Sequence, residues 1–175
     1  MNKKFMILAA AALLTLAACG NKQAATTDEG AAPEATEQNA APEGEMVEND
    51  DYAVVVPSGW TNKTENPKFV ILEKEAEPGR YKFLRFYAYP KDNRTAEAWA
   101  KQQLGAEINS AEADIEAGGY TWKVICENNA TDATKSIYHA VTDMPNGGFF
   151  QVSSFNGFNL TDEEIKAVLA TITLK

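Results

Sequence analysis

A thiol and an imidazole are the first side chains in this sequence that could do chemistry. Cys126 is one of two cysteines and His139 is the only histidine, and a thiolate beside an imidazole is the minimal nucleophilic unit. A loop centred near residue 131 would set Cys126 opposite Ser136 and about 10 Å along the strand from His139. A register slip of two residues would change that spacing. We expect a buried, inert thiol and a histidine satisfied within the core, and nucleophilic catalysis is the alternative.

A row of acidic residues could instead coordinate a divalent cation through carboxylate oxygens. Glu112, Asp114 and Glu116 alternate with small or apolar residues, which predicts carboxylates about 7 Å apart on one strand face. A calcium loop gathers its acids on a sharp turn, whereas these acids stand in a line. We expect a solvated face whose charges protect a sheet edge, so the sequence predicts neither a metal site nor a cofactor.

Aromatic residues form the third candidate site. Tyr81, Phe83, Tyr87 and Tyr89 recur at every second position with Arg85 among them, so the five side chains share one strand face. Aromatic rings beside a cation can hold a sugar, an aromatic ligand or a peptide. Helices on both faces of the sheet would equally explain the stripe as core packing. If the stripe is open, Tyr81, Tyr87 and Tyr89 are the predicted contact residues.

Strands must position these candidates. Runs rich in β-branched and aromatic residues, bounded by Gly, Pro and Asn, predict seven strands. They lie at residues 52–56, 69–72, 81–89, 112–117, 120–127, 135–143 and 148–154. The last four strands form two hairpins, because glycine pairs occupy the turns between them.

Two helices complete the predicted elements. Residues 95–104 start at an N-cap threonine and end before a glycine, with Trp99 and Leu104 on the buried side. Thr161 and Glu164 have the spacing of a capping box, and an Ile/Val/Leu stripe of helical period follows them. Strands, a helix, hairpins and a final helix predict an α+β domain, with a mostly antiparallel β-sheet packed by helices.

The order of elements resembles a known family. A Val-x-Pro-Ser-Gly-Trp turn opens the domain at residues 54–60, and aromatic strands, a mid-chain helix, hairpins and an Ile/Leu helix follow. This arrangement resembles the PsbP/Mog-type α/β/α sandwich, a family that includes photosynthetic accessory subunits, the Ran-binding Mog protein and many bacterial lipoproteins. The resemblance covers most of residues 52–175 and implies a PsbP-like fold. It carries over no functional residue.

The N-terminal residues have the pattern of a targeting signal. Residues 1–18 contain two lysines, an apolar run too short to span a membrane, and then small residues. The run Leu16-Ala17-Ala18-Cys19 resembles the lipobox of bacterial lipoprotein precursors, which implies lipid attachment at Cys19. Gly20 follows it, which by the same resemblance implies the outer membrane, on either the periplasmic side or the cell surface. An ordinary cleaved signal is the alternative.

Charge separates a tether from the domain. Residues 20–51 hold nine acidic residues and one lysine, with too few large apolar side chains to offset the entropy of ordering. We therefore predict a disordered acidic tether over residues 19–51 and one globular domain over residues 52–175. The whole chain has Lys+Arg 16 against Asp+Glu 25, which disfavours binding to duplex nucleic acid.

These patterns together predict a membrane-anchored, non-catalytic binding or adaptor lipoprotein of the bacterial cell envelope. Its expected partners are the membrane, through the lipid anchor, and an envelope protein or a small ligand. One alternative is an accessory or assembly subunit of an envelope complex. A small hydrolase built on His139 or a carboxylate pair is the third possibility.

Overall fold

The computed structural model of the chain describes residues 44–66 and 68–175, which form eleven strands and two α-helices. The strands are β1 (Glu45–Glu48), β2 (Tyr52–Val56), β3 (Thr61–Asn62), β4 (Phe69–Glu77), β5 (Arg80–Tyr89), β6 (Asn109–Ala111), β7 (Ile115–Ala117), β8 (Tyr120–Glu127), β9 (Ile137–Asp143), β10 (Phe149–Ser154) and β11 (Thr173–Leu174). The helices are α1 (Ala96–Gln103) and α2 (Glu163–Leu169). The predicted signal, Cys19 and most of the tether lie outside the described residues.

One large antiparallel sheet dominates the domain. Its strand order is β3-β4-β5-β10-β9-β8-β6, and β7 pairs with β8 beyond that path. A second sheet has the order β1-β2-β11. Because β10 lies between β5 and β9, the β4–β5 hairpin and the β9–β10 hairpin join at the centre of the sheet. The predicted α+β class with a mostly antiparallel sheet is confirmed.

Alternation along β5 separates the two faces of the large sheet. Leu84 and Phe86 are fully buried on one face, whereas Arg85 between them is exposed on the other. We call the face of Leu84 the inner face and the face of Arg85 the outer face. The inner face packs against β2 and α2 in one apolar cluster, which includes Tyr52, Trp122 and Phe150.

Tyr52 joins the small sheet to the large one. Its ring packs edge-on against Phe150, with 4.7 Å between ring centroids. Its hydroxyl donates to the carbonyl oxygen of Phe86 on β5 at 3.2 Å and accepts from the backbone N–H of Val70 on β4 at 3.0 Å. This single buried hydroxyl therefore satisfies one polar backbone group on each of two neighbouring strands.

The outer face is covered by α1 over only part of its width. Trp99 and two alanines of α1 pack on a separate apolar cluster formed by Ile125, Val141 and Phe149. Thr95 caps the helix by accepting from the backbone N–H of Ala98, as the sequence predicts. The strands β4 and β5 lie outside the area that α1 covers.

The structure extends the domain upstream of its predicted start. Composition predicts residues 45–48 as part of the tether, yet they form β1, in which Val47 pairs with Val54 of β2. Val47 is also partly buried against the core. The composition argument fails here because an edge strand gains most of its partners from backbone groups, which do not depend on side-chain type.

Two predicted helix features are wrong. Leu104 is 40% exposed, because it is the C-cap residue of α1 and leaves the helix face that packs on the sheet. Thr161 and Glu164 form no capping box, since α2 begins after Asp162 with no side-chain cap. The Glu164 carboxylate instead accepts from Lys74 and Lys82 on the large sheet, which ties α2 to β4 and β5.

The apolar stripe of α2 is buried as predicted, but it extends beyond the C-terminal end of the helix. Ile165, Val168 and Leu169 are fully buried, and Ile172 is buried beyond the helix end. Within the described residues, neither helix is long and apolar enough to cross a membrane.

We predict that Tyr52→Phe lowers the free energy of unfolding by about 1–3 kcal/mol, because Val70 and Phe86 lose their buried hydrogen-bond partner. Urea denaturation at pH 7 measures this loss. Burial raises the pKa of Tyr52 to about 12, so the unfolded chain ionises first, and the wild-type chain loses stability as the pH rises from about 10 to about 12.

In Tyr52→Phe, the part of the alkaline loss of stability that comes from Tyr52 is absent. The part from Tyr138 remains, because burial raises the pKa of Tyr138 to about 12 as well. Identical stability curves for the two proteins between pH 9 and pH 12 would contradict the role given to the hydroxyl.

Candidate functional site

The predicted aromatic stripe lies on the outer face, beyond the reach of α1. We call this surface the open face. It comprises Phe69 of β4, Tyr81, Phe83, Arg85, Tyr87 and Tyr89 of β5, and Phe155 after β10. Arg85 and Tyr89 are exposed and the other five side chains are half-buried. The stripe is therefore surface and not core, and the sequence left both possibilities open.

Neighbouring rings on the open face are in contact along and across the strands. The Phe69 and Tyr87 rings, paired across β4 and β5, have centroids 5.6 Å apart and an angle of 34° between their planes. Tyr87 and Tyr89 are 6.4 Å apart at 31°. Tyr89 in turn stacks on Phe149 at 4.6 Å. The three predicted contact residues thus belong to one surface, and their role in ligand binding stays a prediction.

Arg85 lies at the centre of the open face. Its guanidinium carbon is 4.7 Å above the centroid of the Phe155 ring, and its cross-strand neighbours are Ile71 and Ser153. Among the described residues, no carboxylate forms an ion pair with Arg85 and no acceptor takes a hydrogen bond from it. A cation with free donors is therefore displayed among aromatic rings.

A polar cluster borders the open face on the side of α1. His139 Nδ1 lies 2.9 Å from Ser153 Oγ and 3.1 Å from Gln151 Nε2. The Gln151 amide also donates to Ser153 Oγ at 2.9 Å. One consistent arrangement has the Ser153 hydroxyl donating to Nδ1, which leaves the proton of the neutral ring on Nε2, 3.7 Å from a Glu127 carboxylate oxygen.

Burial determines the electrostatics of His139. Burial lowers its pKa below the ordinary histidine value, and the nearby Glu127 carboxylate opposes that shift. The Trp99 ring meets the imidazole edge-on, with 6.0 Å between ring centroids. A neutral imidazole satisfied by side chains is the expected state of a core histidine.

The Ser153 and His139 side chains have the spacing of a serine nucleophile and its base. Ser153, however, is 1% exposed, so its hydroxyl has no open approach for a substrate.

The structure places Cys126 and His139 on opposite faces of the sheet. Cys126 pairs with Tyr138 and His139 pairs with Ile125, so the register differs by two residues from the predicted one. The predicted pairing of Cys126 with Ser136 is wrong because the loop carries a 3-10 turn at Ala133–Lys135, which moves its centre. The thiol is buried as expected, and burial raises the pKa of Cys126.

The acidic row does not form one continuous strand. Glu112 follows β6 and the strand resumes only at β7. Asp114 pairs with Lys123 at 2.7 Å, and Glu116 accepts from the Thr121 hydroxyl at 3.0 Å. Across residues 44–66 and 68–175, no group of three or more His, Cys, Asp or Glu side chains is placed to hold a metal ion.

Gln151 and Ser153 of the polar cluster, and Phe69 and Phe155 of the open face, are functional candidates that the sequence did not single out. In β10, Gln151 and Ser153 alternate with the apolar Phe150 and Val152, and this alternation indicates a polar outer face. Phe155 could not be found from its sequence position, because it reaches the open face only through the pairing of β10 with β5.

No protein-family model matches the sequence, and no curated protein matches it. Similar solved structures include a protein of Bacteroides thetaiotaomicron VPI-5482, at 15% identity and a TM-score of 0.44, over 71% of this chain and 45% of that one. This chain thus spans less than half of that protein. Another is cyanobacterial PsbP (CyanoP) from Synechocystis sp. PCC 6803, at 14% identity and a TM-score of 0.39, over 71% and 86% of the two chains. Neither likeness carries a function or a site residue to this chain.

We predict that Glu127→Gln lowers the pKa of His139 further, because the carboxylate is the attraction that opposes burial. Proton NMR titration of the only histidine measures the shift.

Since the folded pKa of His139 lies below the unfolded value, the unfolded chain binds the proton first, and stability is lost as the pH falls below about 6.5. Glu116→Gln, which removes a carboxylate bonded to Thr121, is the control. An unchanged His139 pKa in Glu127→Gln would contradict the assignment.

Proposed function

We propose that this chain is a lipid-anchored, non-catalytic binding lipoprotein of the bacterial cell envelope, and that the open face is its contact surface. The observation that supports this proposal is the half-exposed row of aromatic rings around Arg85. Contiguous exposed apolar surface is typical of interaction sites.

The composition of the open face is that of a binding surface and not that of a core left uncovered. Its rings surround one Arg, and Tyr, Phe and Arg are enriched at the centres of interfaces. Glu73 lies on the same face opposite Phe83, toward β3, and forms an ion pair with Lys63 at 3.8 Å. An apolar centre with a charged rim is the usual organisation of a binding surface.

The anchor and the tether complete the proposed function. Acyl chains on Cys19 would hold the domain at a membrane, because several chains together give stable attachment where one is marginal. The acidic segment before β1 would let the domain explore a limited volume around the anchor. Such tethering raises the effective concentration of the open face toward any molecule held at the same membrane.

An accessory subunit of an envelope complex is the second candidate function. The same Tyr and Arg composition favours it, since these residues provide most hot spots between proteins. The two functions differ in what covers the open face. A subunit would be covered permanently by one protein, whereas a binding protein would be free until its ligand arrives.

We predict that Cys19→Ala moves the protein from the membrane fraction to the soluble fraction, because the acylated thiol is the proposed attachment point. Fractionation followed by immunodetection measures the change. The control is Cys126→Ala, which removes the buried thiol and should leave the membrane association unchanged. A membrane-bound Cys19→Ala protein would refute lipid anchoring at this residue.

We predict that a photo-crosslinking amino acid at position 87 traps the molecule that covers the open face in intact cells, and that one at position 166 does not. Lys166 lies on α2, on the opposite side of the sheet. One discrete protein adduct at position 87 would favour the accessory subunit, and glycan adducts would favour the binding protein. Identical adducts at both positions would contradict the open face as contact surface.

A further inference from the structure

Arg85 gives the open face a preference for negatively charged ligands. The guanidinium is exposed, lies over the Phe155 ring and has no acidic partner or hydrogen-bond acceptor among the described residues. Every other arginine has a partner of some kind: Arg94 binds Asp92 at 2.6 Å and Arg80 donates to the carbonyl oxygen of Asn156. The donors of Arg85 are thus available to a ligand.

The geometry of the guanidinium suits an anion. Its N–H donors lie in one plane, where they match the two oxygens of a carboxylate. The neighbouring Phe83 and Tyr87 side chains exclude water from part of the site, which strengthens the attraction between opposite charges. An anionic group on the ligand would therefore gain two charge-assisted hydrogen bonds at Arg85.

The nearest acidic side chains do not compete for Arg85. Glu73, which pairs with Phe83 across β4 and β5, is engaged by Lys63. Glu75 accepts a hydrogen bond from the backbone N–H of Gly79. The chain has a formal net charge of −9, but charges beyond about 8–10 Å are largely screened at physiological salt. The local cation therefore controls what the centre of the face attracts.

The remainder of the face favours a sugar over a peptide. The backbone groups of β5 are already paired with β4 and β10, so an extended peptide cannot add as a strand here. Aromatic rings instead present flat apolar surfaces on which the C–H face of a sugar ring can lie while its hydroxyls stay in water. Phe83 and Tyr87 stand on either side of Arg85 along the strand, each about 7 Å from it, which leaves room for a sugar ring on one aromatic ring with its carboxylate reaching the guanidinium.

We propose that the open face binds an acidic sugar, with the sugar carboxylate held by Arg85 and the ring lying against Tyr87. This inference rests on the proposed function, because it names the ligand class of the same surface. It requires neither the lipid anchor nor a protein partner.

The test is isothermal titration calorimetry on the full-length chain purified in detergent. The probes are three acidic saccharides, a galacturonate trimer, a hyaluronan tetrasaccharide and sialyllactose, each beside its carboxyl methyl ester. The ester keeps the shape of the sugar and removes its charge. We expect at least one acid to bind, and its ester to bind about tenfold or more weakly, the usual scale for losing a hydrogen bond to a charged group.

Variants locate the binding on the face. Arg85→Gln should weaken binding of the acid about tenfold or more and leave the ester unaffected, whereas Arg85→Lys should keep part of the affinity. Tyr87→Ala should weaken binding of the acid and of the ester alike. Lys166→Gln removes one positive charge on the opposite side of the sheet and should change neither. Arg85 is exposed, so Arg85→Gln should keep the unfolding temperature of the wild-type chain.

Three results of the sugar titrations would overturn the inference. They are equal affinity for acid and ester, unchanged affinity in Arg85→Gln, and absence of binding by all three acids up to about 10 mM, beyond the millimolar range of weak specific binding. Inorganic phosphate at the same concentration tests for a general anion site, and equal displacement by phosphate would also overturn it. If the sugars fail while position 87 still traps a partner in cells, the proposed function stands and only this inference is lost.

Discussion

One short helix cannot cover a sheet of this width, and the character of the open face follows from that geometry. The seven strands from β3 to β6 extend over about 30 Å at the usual separation of 4.8 Å. A helix is about 10 Å across, and α1 has eight residues. It contacts β8 and β9, so β4 and β5 stay open to solvent. The alternation of β5 then decides which of its side chains are displayed, because Leu84 and Phe86 must face the core.

The inner face, in contrast, is covered by α2, which ion pairs as well as apolar contacts hold in place. The Glu164 carboxylate of α2 meets Lys74 and Lys82 on the sheet. Burial alone would raise the pKa of Glu164, but the hydrogen bonds from the two lysines outweigh it and lower that pKa. Lys82 also lies over the Phe158 ring, 5.1 Å from its centroid. Lys74 and Lys82 thus hold α2 against the inner face of the sheet. Arg85 is the cation that β5 presents on the outer face.

The sequence predicts periodic features well and tertiary ones poorly. Period-two alternation along 81–89 correctly assigns Leu84 and Phe86 to one face and the tyrosines to the other. It cannot show which face α1 covers, because docking depends on the pairing of β10 with β5, far apart in the chain. The capping box fails for a related reason. Glu164 has two lysine partners across the sheet, and those contacts displace the local bond to its own helix terminus.

The buried polar cluster adds to the forces that hold β10 in register with β9, beside the open face. Ser153 pairs with Arg85 of β5 and with His139 of β9, and its hydroxyl lies 2.9 Å from His139 Nδ1. A slip of two residues between β9 and β10 would keep every side chain on its own face, because successive side chains alternate. It would, however, separate Ser153 from His139 and leave buried polar groups unpaired, at a cost of about 1–3 kcal/mol each. The hydrogen bonds of the polar cluster therefore help to fix the position of β10, the strand that brings Phe155 to Arg85.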